Sequence, residues 1–269
     1  MQKQFTFIGI LLCLLLIVTA CANDQSTDQS SDNTETETEE EVELTISAAA
    51  SLNDAMDEIQ AIYQEEHPEV DLKFNFGSSG SLQQQISQGA PADLFFSAAE
   101  DKFDILVSNG DIAEEDGKAL LGNELVMIVP EEEEAVTDFA DLATSEAESI
   151  AIGTPESVPA GEYAKESLEN MDLWEEIEPK IVYAKDVRQV LSYVETKNVD
   201  AGMVYKTDAL ISDEVNIVST AASDTHAPIT YPVGILKDSE HYEAAEDFYN
   251  FLQSDTALKV FEEYGFTTD

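Results

Sequence analysis

The stretch "ISAAASLNDAM", from Ile46 to Met56, places small and hydroxyl-bearing residues where a predicted strand turns into a helix. The preceding "VELTIS" is typical of a strand, and the following "LNDAMDEIQAIYQEEH" repeats apolar residues at helical spacing. The chain has 57 acidic and 12 basic residues, yet this junction carries no charge before Asp54. In α/β sheets such junctions are where ligands bind, so the missing charge indicates a site made of backbone and hydroxyl groups.

The alternation of strands and helices continues along the chain. Strands are predicted at "VDLKFNF", "ADLFFSA", "ELVMIVP", "SIAIG", "KIVYA", "AGMVY" and "YPVGIL". Helices are predicted at "SLQQQISQG" and near residues 161–170, 188–196, 239–253 and 255–264. This order predicts an α/β fold with a parallel sheet whose faces are covered by helices.

The N-terminal segment is typical of an export signal. The apolar run from Phe5 to Ala20 follows a single positive charge and is too short to span a membrane, so residues 1–20 are predicted to be a signal peptide. Residues 18–21, "VTAC", resemble a bacterial lipobox, in which the signal is cut before the cysteine and Cys21 is lipidated. A signal anchor that is never cut is the alternative. Residues 21–42 are then the lipidated cysteine and an acidic, disordered linker.

The net charge and the cysteines limit the partners of the exported chain. Removal of residues 1–20 leaves 57 acidic and 11 basic residues, a charge that repels nucleic acid and anionic lipid. Membrane contact is therefore expected only through the lipid on Cys21. The other cysteine, Cys13, lies in the removed segment, so no disulfide is expected. The three histidines are scattered, which predicts neither a metal site nor a cofactor.

Four predicted helix starts and one strand end carry the candidate site. Ser51 precedes the first helix, and Ser79 lies in "FGSSGSL". Ala160 follows Pro159 in "VPAG", and Val187 follows the predicted cap Asp186 in "DVR". Tyr205 ends the strand "AGMVY" and offers a phenolic donor. Helix N-termini expose unpaired N–H groups and favour negative charge, so these residues predict an anion site that needs no lysine or arginine.

Each of these features also has an ordinary structural interpretation. Ser51 with Asp54 three residues later is a plausible capping box, and Ser81 is a plausible cap of the second helix. The N–H groups of both Ala160 and Gly161 are expected to be free at the third helix start. An isolated tyrosine such as Tyr205 is more often part of a core.

Taken together, the motifs resemble those of the molybdate-binding proteins that serve ABC importers. The resemblance covers Leu44 to Thr267 and rests on "AAASLNDAM", "FGSSGSLQQQI", "GAPADLFFSA", "LLGNELVMIVP", "VPAGEYAKESL", "DVRQVL", "GMVYKTDA", "YPV" and "FEEYGFT". It implies the two-lobed fold of type II periplasmic binding proteins, with a ligand cleft between the lobes. The chain is expected to cross between lobes near Asn123 and Tyr231, so that lobe I holds 43–122 and 231–269 and lobe II holds 123–230.

The resemblance also implies a ligand and its contacts. Molybdate, and tungstate as well, would be held by Ser51, Ser79, Ala160, Val187 and Tyr205, with molybdenum bound only as the oxyanion. Gly80 stands where the family often has a serine, and Ser78 is the alternative contact if the register differs by one. The protein would be an extracytoplasmic, lipid-anchored monomer that delivers its ligand to an ABC transporter permease.

Two other functions remain open from the sequence. Another tetrahedral oxyanion, such as sulfate, fits a site made of donors, and Arg188 would then act as a clamp. A serine hydrolase is suggested by "GSSGS", but Ser81 breaks the G-x-S-x-G pattern, and only His67, His226 or His241 is present to act as base. The resemblance favours a binding protein and not an enzyme.

Overall fold

The computed structural model of the protein describes residues 41–268, a mixed α/β arrangement with two sheets. The predicted signal peptide, Cys21 and almost all of the predicted linker lie outside the described residues. The first strand begins at Val42. No helix within 41–268 is both long enough and apolar enough to cross a bilayer.

The first sheet has six strands. In chain order they are β1 (Val42–Ala49), β2 (Val70–Gly77), β3 (Leu94–Phe96), β4 (Ile112–Gly122), β10 (Thr230–Leu236) and β11 (Thr267–Thr268). Their order across the sheet is β11-β4-β10-β3-β1-β2. β1 is parallel to β2 and β3, whereas β10 runs antiparallel to β3 and β4. The carboxyl ends of β1, β2 and β3 therefore meet at one edge.

The second sheet has five strands. They are β5 (Leu125–Pro130), β6 (Ile150–Gly153), β7 (Ile181–Ala184), β8 (Ala201–Tyr205) and β9 (Val215–Thr220), in the order β7-β6-β8-β5-β9. β6 is parallel to β7 and β8, and β5 is antiparallel to β8 and β9. Every residue of β5 is buried, as expected for a continuous apolar run inside a sheet that is covered on both faces.

Helices cover both sheets. Those of eight residues or more are α1 (Asn53–Glu66), α2 (Ser79–Ser87), α3 (Glu100–Asn109), α4 (Pro159–Asn170), α6 (Val187–Glu195), α8 (Tyr242–Leu252) and α9 (Asp255–Glu263). Two shorter ones are α5 (Trp174–Ile177) and α7 (Lys206–Leu210). In α6 the buried residues are Val187, Val190, Leu191 and Val194, the apolar stripe of a helix packed on a sheet.

The predicted parallel pairing is found in only part of each sheet. Both sheets are mixed, because β5 and β10, the strands that follow the two crossings, enter antiparallel to their neighbours. β4, β9 and α3 were not predicted. β4 contains "AEEDGK", whose charges face solvent and break the alternation typical of strands.

The chain passes from the first sheet to the second between Gly122 and Leu125, and returns between Thr220 and Thr230. We use lobe I for the elements around the first sheet and lobe II for those around the second. The predicted crossings at Asn123 and Tyr231 fall at or next to these passages. The exact lobe boundaries stay a prediction.

Candidate functional site

One small cavity brings together all five predicted site residues. The space that the centre of a water-sized sphere can occupy in it is about 10 Å³, which is roughly enough for one water molecule. None of its lining residues carries a formal charge, although the whole chain has a net charge of -45. They are Ala49, Ala50, Ser51, Gly77, Ser78, Ser79, Ala98, Val158, Pro159, Ala160, Val187 and Tyr205.

Ser51 reaches the cavity from a 3-10 turn, Ala50–Leu52, between β1 and α1. The predicted capping box is wrong, because Leu52 occupies the cap position of α1 and no side chain caps that helix. The Ser51 hydroxyl is instead hydrogen-bonded to the hydroxyl of Tyr231, with 2.9 Å between the oxygens. The serine is thus held by the strand that returns from lobe II.

Ser79 is the first residue of α2 and is fully buried. Its hydroxyl oxygen accepts a hydrogen bond from the backbone N–H of Ala98 at 2.9 Å, which ties α2 to the segment after β3. Ser81 is not the cap that the sequence predicted, because α2 begins two residues earlier. Ser81 instead accepts a hydrogen bond from the Ser78 hydroxyl at 2.8 Å.

Lobe II contributes the starts of α4 and α6. Pro159 occupies the first turn of α4, as predicted, and the Asp186 carboxylate caps α6 by accepting from the N–H of Gln189 at 2.8 Å, also as predicted. The N–H of Gly161 is not free, because it donates to the carbonyl of Val158 at 2.9 Å. Gly161 serves packing instead: a Cβ on it would lie 2.0 Å from the carbonyl oxygen of Gly153.

Three backbone N–H groups at the starts of α2, α4 and α6 remain available to a ligand in the cavity. Within residues 41–268, those of Ser79, Ala160 and Val187 donate to no backbone carbonyl. Each belongs to the first two residues of a helix, where the preceding turn supplies no acceptor. Three helices therefore present their positive ends to one uncharged cavity, an arrangement that favours a bound anion.

Tyr205 closes the cavity from the end of β8. Its hydroxyl donates to the carbonyl of Ala98 in lobe I at 3.3 Å. Burial raises the pKa of Tyr205 well above its ordinary value, so the hydroxyl keeps its proton and remains a donor.

Further contacts join the lobes around the cavity. The N–H of Gly80 donates to the carbonyl of Ser157 at 3.0 Å, and Lys102 pairs with Glu162 at 2.9 Å. Arg188 of lobe II pairs with Asp54 of lobe I. The cleft is therefore in a closed arrangement, with the two lobes in direct contact.

Arg188 does not support a guanidinium clamp on sulfate. Besides its pairing with Asp54, its Nε lies 2.8 Å from Oδ1 of the fully buried Asp208, and the residue does not line the cavity. These two contacts hold the guanidinium outside the cavity. None of the three histidines lines the cavity either, so Ser79 has no imidazole base beside it there.

Sequence reasoning missed three residues that shape the site. Ala98 accepts from Tyr205, Tyr231 bonds Ser51, and Asn123 donates to Tyr231 at 3.1 Å. The motifs "GAPADLFFSA", "LLGNELVMIVP" and "YPV" contain all three, but no contact at the site was predicted for them because their partners are more than 100 residues away in the chain.

Comparison with known proteins gives the family. The bacterial extracellular solute-binding protein family matches residues 44–267. The chain belongs to this family. Its two-lobed architecture is that of type II periplasmic binding proteins, as predicted: the molybdate-binding protein of Azotobacter vinelandii superposes with a TM-score of 0.76 at 21% identity, covering 84% of this chain and 99% of that one.

Two relatives of this solute-binding protein are similar over most of its length. YvgL of Bacillus subtilis, provisionally named an ABC transporter substrate-binding lipoprotein, is 56% identical over 100% of both chains. The molybdate-binding protein ModA of Escherichia coli is 37% identical, over 83% of this chain and 88% of its own. The predicted resemblance to molybdate-binding proteins is confirmed, and the family name places the protein outside the cytoplasm. These relatives are solute-binding proteins, consistent with a chain that is not an enzyme.

The buried carboxyl of Asp208 makes the stability of this solute-binding protein depend on pH. Burial raises the pKa of Asp208 from 3.8 to about 7, although the neighbouring guanidinium of Arg188 opposes the rise. The folded state then binds this proton more tightly than the unfolded state, so stability falls as pH rises between about 4 and about 7. We expect the free energy of unfolding of wild type, minus that of Asp208→Asn, to decrease across this range in urea titrations. A difference that stays flat or rises contradicts the assignment.

Gly80 sets how closely the lobes approach. A Cβ on Gly80 would lie 2.7 Å from the carbonyl oxygen of Ser157, a backbone atom that has no freedom to rotate away. We expect Gly80→Ala to weaken ligand binding by about 1–3 kcal/mol through overpacking. Because the Gly80–Ser157 contact is already present in the closed arrangement, melting curves of the ligand-free variant separate a loss of stability from a loss of affinity.

Calorimetry and melting curves check the Gly80→Ala prediction together. Gln84→Ala, an exposed change in the same helix, is the control and should leave affinity unchanged. Unchanged affinity in Gly80→Ala would show that the Gly80–Ser157 contact plays no part in binding.

Proposed function

We propose that this protein captures molybdate in the cleft between its lobes, takes tungstate as well, and delivers the ligand to an ABC transporter permease. The observation that carries this proposal is the convergence of neutral donors on one buried cavity. Lobe I contributes Ser51 and Ser79, and lobe II contributes Ala160, Val187 and Tyr205. The similarity to ModA of Escherichia coli supports molybdate as the ligand.

The chemistry of the donors fits a fully deprotonated tetrahedral dianion. Backbone N–H groups only donate, and none of the lining residues is a carboxylate that would accept a proton from the ligand. A hydrogen bond to a charged group contributes about 1.5–3 kcal/mol, so five such bonds contribute about 7.5–15 kcal/mol. Micromolar binding requires roughly 8 kcal/mol, so the upper part of this range also covers the cost of desolvation.

Binding would exchange contacts within the protein for contacts with the ligand. The cavity of about 10 Å³ has room for about one water, whereas a tetrahedral oxyanion has five heavy atoms. The walls therefore have to separate slightly. In this proposal the Tyr205 hydroxyl leaves the Ala98 carbonyl for a ligand oxygen. Because only the closed form makes every ligand contact, the ligand favours closure.

The direct test compares four oxyanions. We expect molybdate and tungstate to raise the melting temperature of the domain beginning near residue 41, and sulfate and phosphate at equal concentration to raise it less. Stabilisation by sulfate but not by molybdate would show that sulfate, and not molybdate, is the ligand. Stabilisation by none of the four would reject an oxyanion site.

Two substitutions test the site itself. We expect Ser51→Ala and Tyr205→Phe each to weaken molybdate binding, measured by calorimetry, by roughly 1–3 kcal/mol, the range for a lost hydrogen bond to a charged group. Tyr63→Phe is the matched control, because Tyr63 is a buried tyrosine whose hydroxyl has no hydrogen-bond partner within residues 41–268. Unchanged affinity in both site variants argues against these contacts.

We also propose that the protein is lipid-anchored through Cys21. The support is the "VTAC" pattern and the 56% identity to YvgL of Bacillus subtilis. Metabolic labelling with a radioactive fatty acid should label wild type and the Cys13→Ser variant, because Cys13 lies in the segment expected to be removed. The label should be lost in Cys21→Ser. A label that survives in Cys21→Ser rejects the anchor.

A further inference from the structure

Three side chains form a hydrogen-bonded chain that runs from the crossing between the lobes to the cavity. The Nδ2 of Asn123 lies 3.1 Å from the hydroxyl oxygen of Tyr231. That oxygen lies 2.9 Å from Oγ of Ser51, which lines the cavity. Tyr231 is fully buried, so water has little access to its hydroxyl. The direction of each hydrogen bond is therefore decided by the protein.

Asn123 fixes which atoms donate and which accept in these hydrogen bonds. Its side-chain oxygen accepts from the backbone N–H of Glu124 at 2.9 Å, a contact that only the oxygen can make. The NH₂ group is thereby turned toward Tyr231 and toward the Thr207 hydroxyl at 3.0 Å. An amide NH₂ only donates, so the oxygen of Tyr231 is the acceptor.

The direction at Tyr231 follows from that at Asn123. The Tyr231 oxygen already accepts from Asn123, and its own hydrogen has one oxygen within reach in the described residues, Oγ of Ser51. If Ser51 donated instead, the buried hydrogen of Tyr231 would have no acceptor, and an unpaired buried donor destabilises the protein. The favoured arrangement is therefore Asn123 donating to Tyr231, and Tyr231 donating to Ser51.

This direction decides what Ser51 offers to a ligand. An oxygen that accepts from Tyr231 keeps its own hydrogen free for the cavity, and accepting one hydrogen bond strengthens the next donor in the chain. In the reverse direction the hydrogen of Ser51 would point to Tyr231 and only lone pairs would face the cavity. Those lone pairs would repel a deprotonated oxyanion and would accept from a protonated one.

We propose that Asn123 and Tyr231 are positioning residues that hold the Ser51 hydroxyl as a donor toward the cavity, and that the site thereby favours an oxyanion without a proton. This proposal rests on the oxyanion-binding function. Its structural basis is the fixed direction of two hydrogen bonds that join the crossing segments, β10 and the residues before β5, to the site.

The sharpest test reverses the direction of the two hydrogen bonds. Asn123→Asp replaces the donor by an acceptor, so Tyr231 turns its hydrogen to the new carboxylate and Ser51 turns its hydrogen to Tyr231. The molybdate Kd should rise by about tenfold or more, as for a lost hydrogen bond to charge. The ratio of the phosphate Kd to the molybdate Kd should fall, because phosphate near neutral pH carries a proton that the exposed lone pairs of Ser51 accept.

A double-mutant cycle separates this effect from simple repulsion by the new carboxylate. In the Tyr231→Phe background, where the ring still packs against Phe266 but the hydroxyl is gone, Asn123→Asp should raise the molybdate Kd by a clearly smaller factor. In the Ser51→Ala background, Tyr231→Phe should change the Kd little. Tyr63→Phe should leave both ligands unaffected. Melting curves confirm that each variant is folded.

The outcomes are distinct. If wild type binds molybdate but Asn123→Asp raises the molybdate Kd by the same factor with and without the Tyr231 hydroxyl, the positioning role is overturned. The proposed function is then still supported. An unchanged ratio of phosphate to molybdate Kd in Asn123→Asp also overturns it. Wild type that binds no oxyanion overturns the proposed function and this inference together.

Discussion

The structure depends on the unpaired N–H groups at the starts of three helices, all of which face the same small cavity. Ser79 comes from lobe I, and Ala160 and Val187 come from lobe II, so neither lobe holds the complete set. The relative position of the two lobes is therefore the quantity on which ligand affinity depends. Contacts such as Gly80–Ser157 and Arg188–Asp54 set this position from outside the cavity.

The small residues around the cavity follow from this constraint. Backbone N–H groups reach a ligand only where side chains do not stand in front of them. This explains the alanines at the end of β1 and in the turn after it, and Ala98 after β3. Glycines act similarly at the points of closest approach. Gly80 lets α2 touch the backbone of lobe II, and Gly161 lets α4 pack against the end of β6. The uncharged stretch from Ile46 to Asn53 is thus a requirement of the site.

The sequence predicted the elements with strong periodicity and the helix starts, but not the partners that join distant segments. Pro159 and Asp186 were placed correctly because their roles are local. The capping box at Ser51 and the clamp at Arg188 were wrong because local spacing does not reveal partners that come from distant segments. Ser51 pairs with a residue 180 positions away, and Arg188 pairs with one 134 positions away. The antiparallel orientation of β5 and β10 was missed for the same reason, because the neighbours of a strand in the sheet come from distant parts of the chain.

In this strongly acidic protein, pH and salt act on the charged surface but not on the uncharged groups that line the cavity. The carboxylates of the surface gain and lose protons and attract counterions as pH and salt change. Peptide N–H groups do not titrate, and burial keeps the Tyr205 hydroxyl protonated far into the alkaline range. The surface can therefore be adapted by mutation to a particular medium while the groups that face the cleft keep the same protonation state.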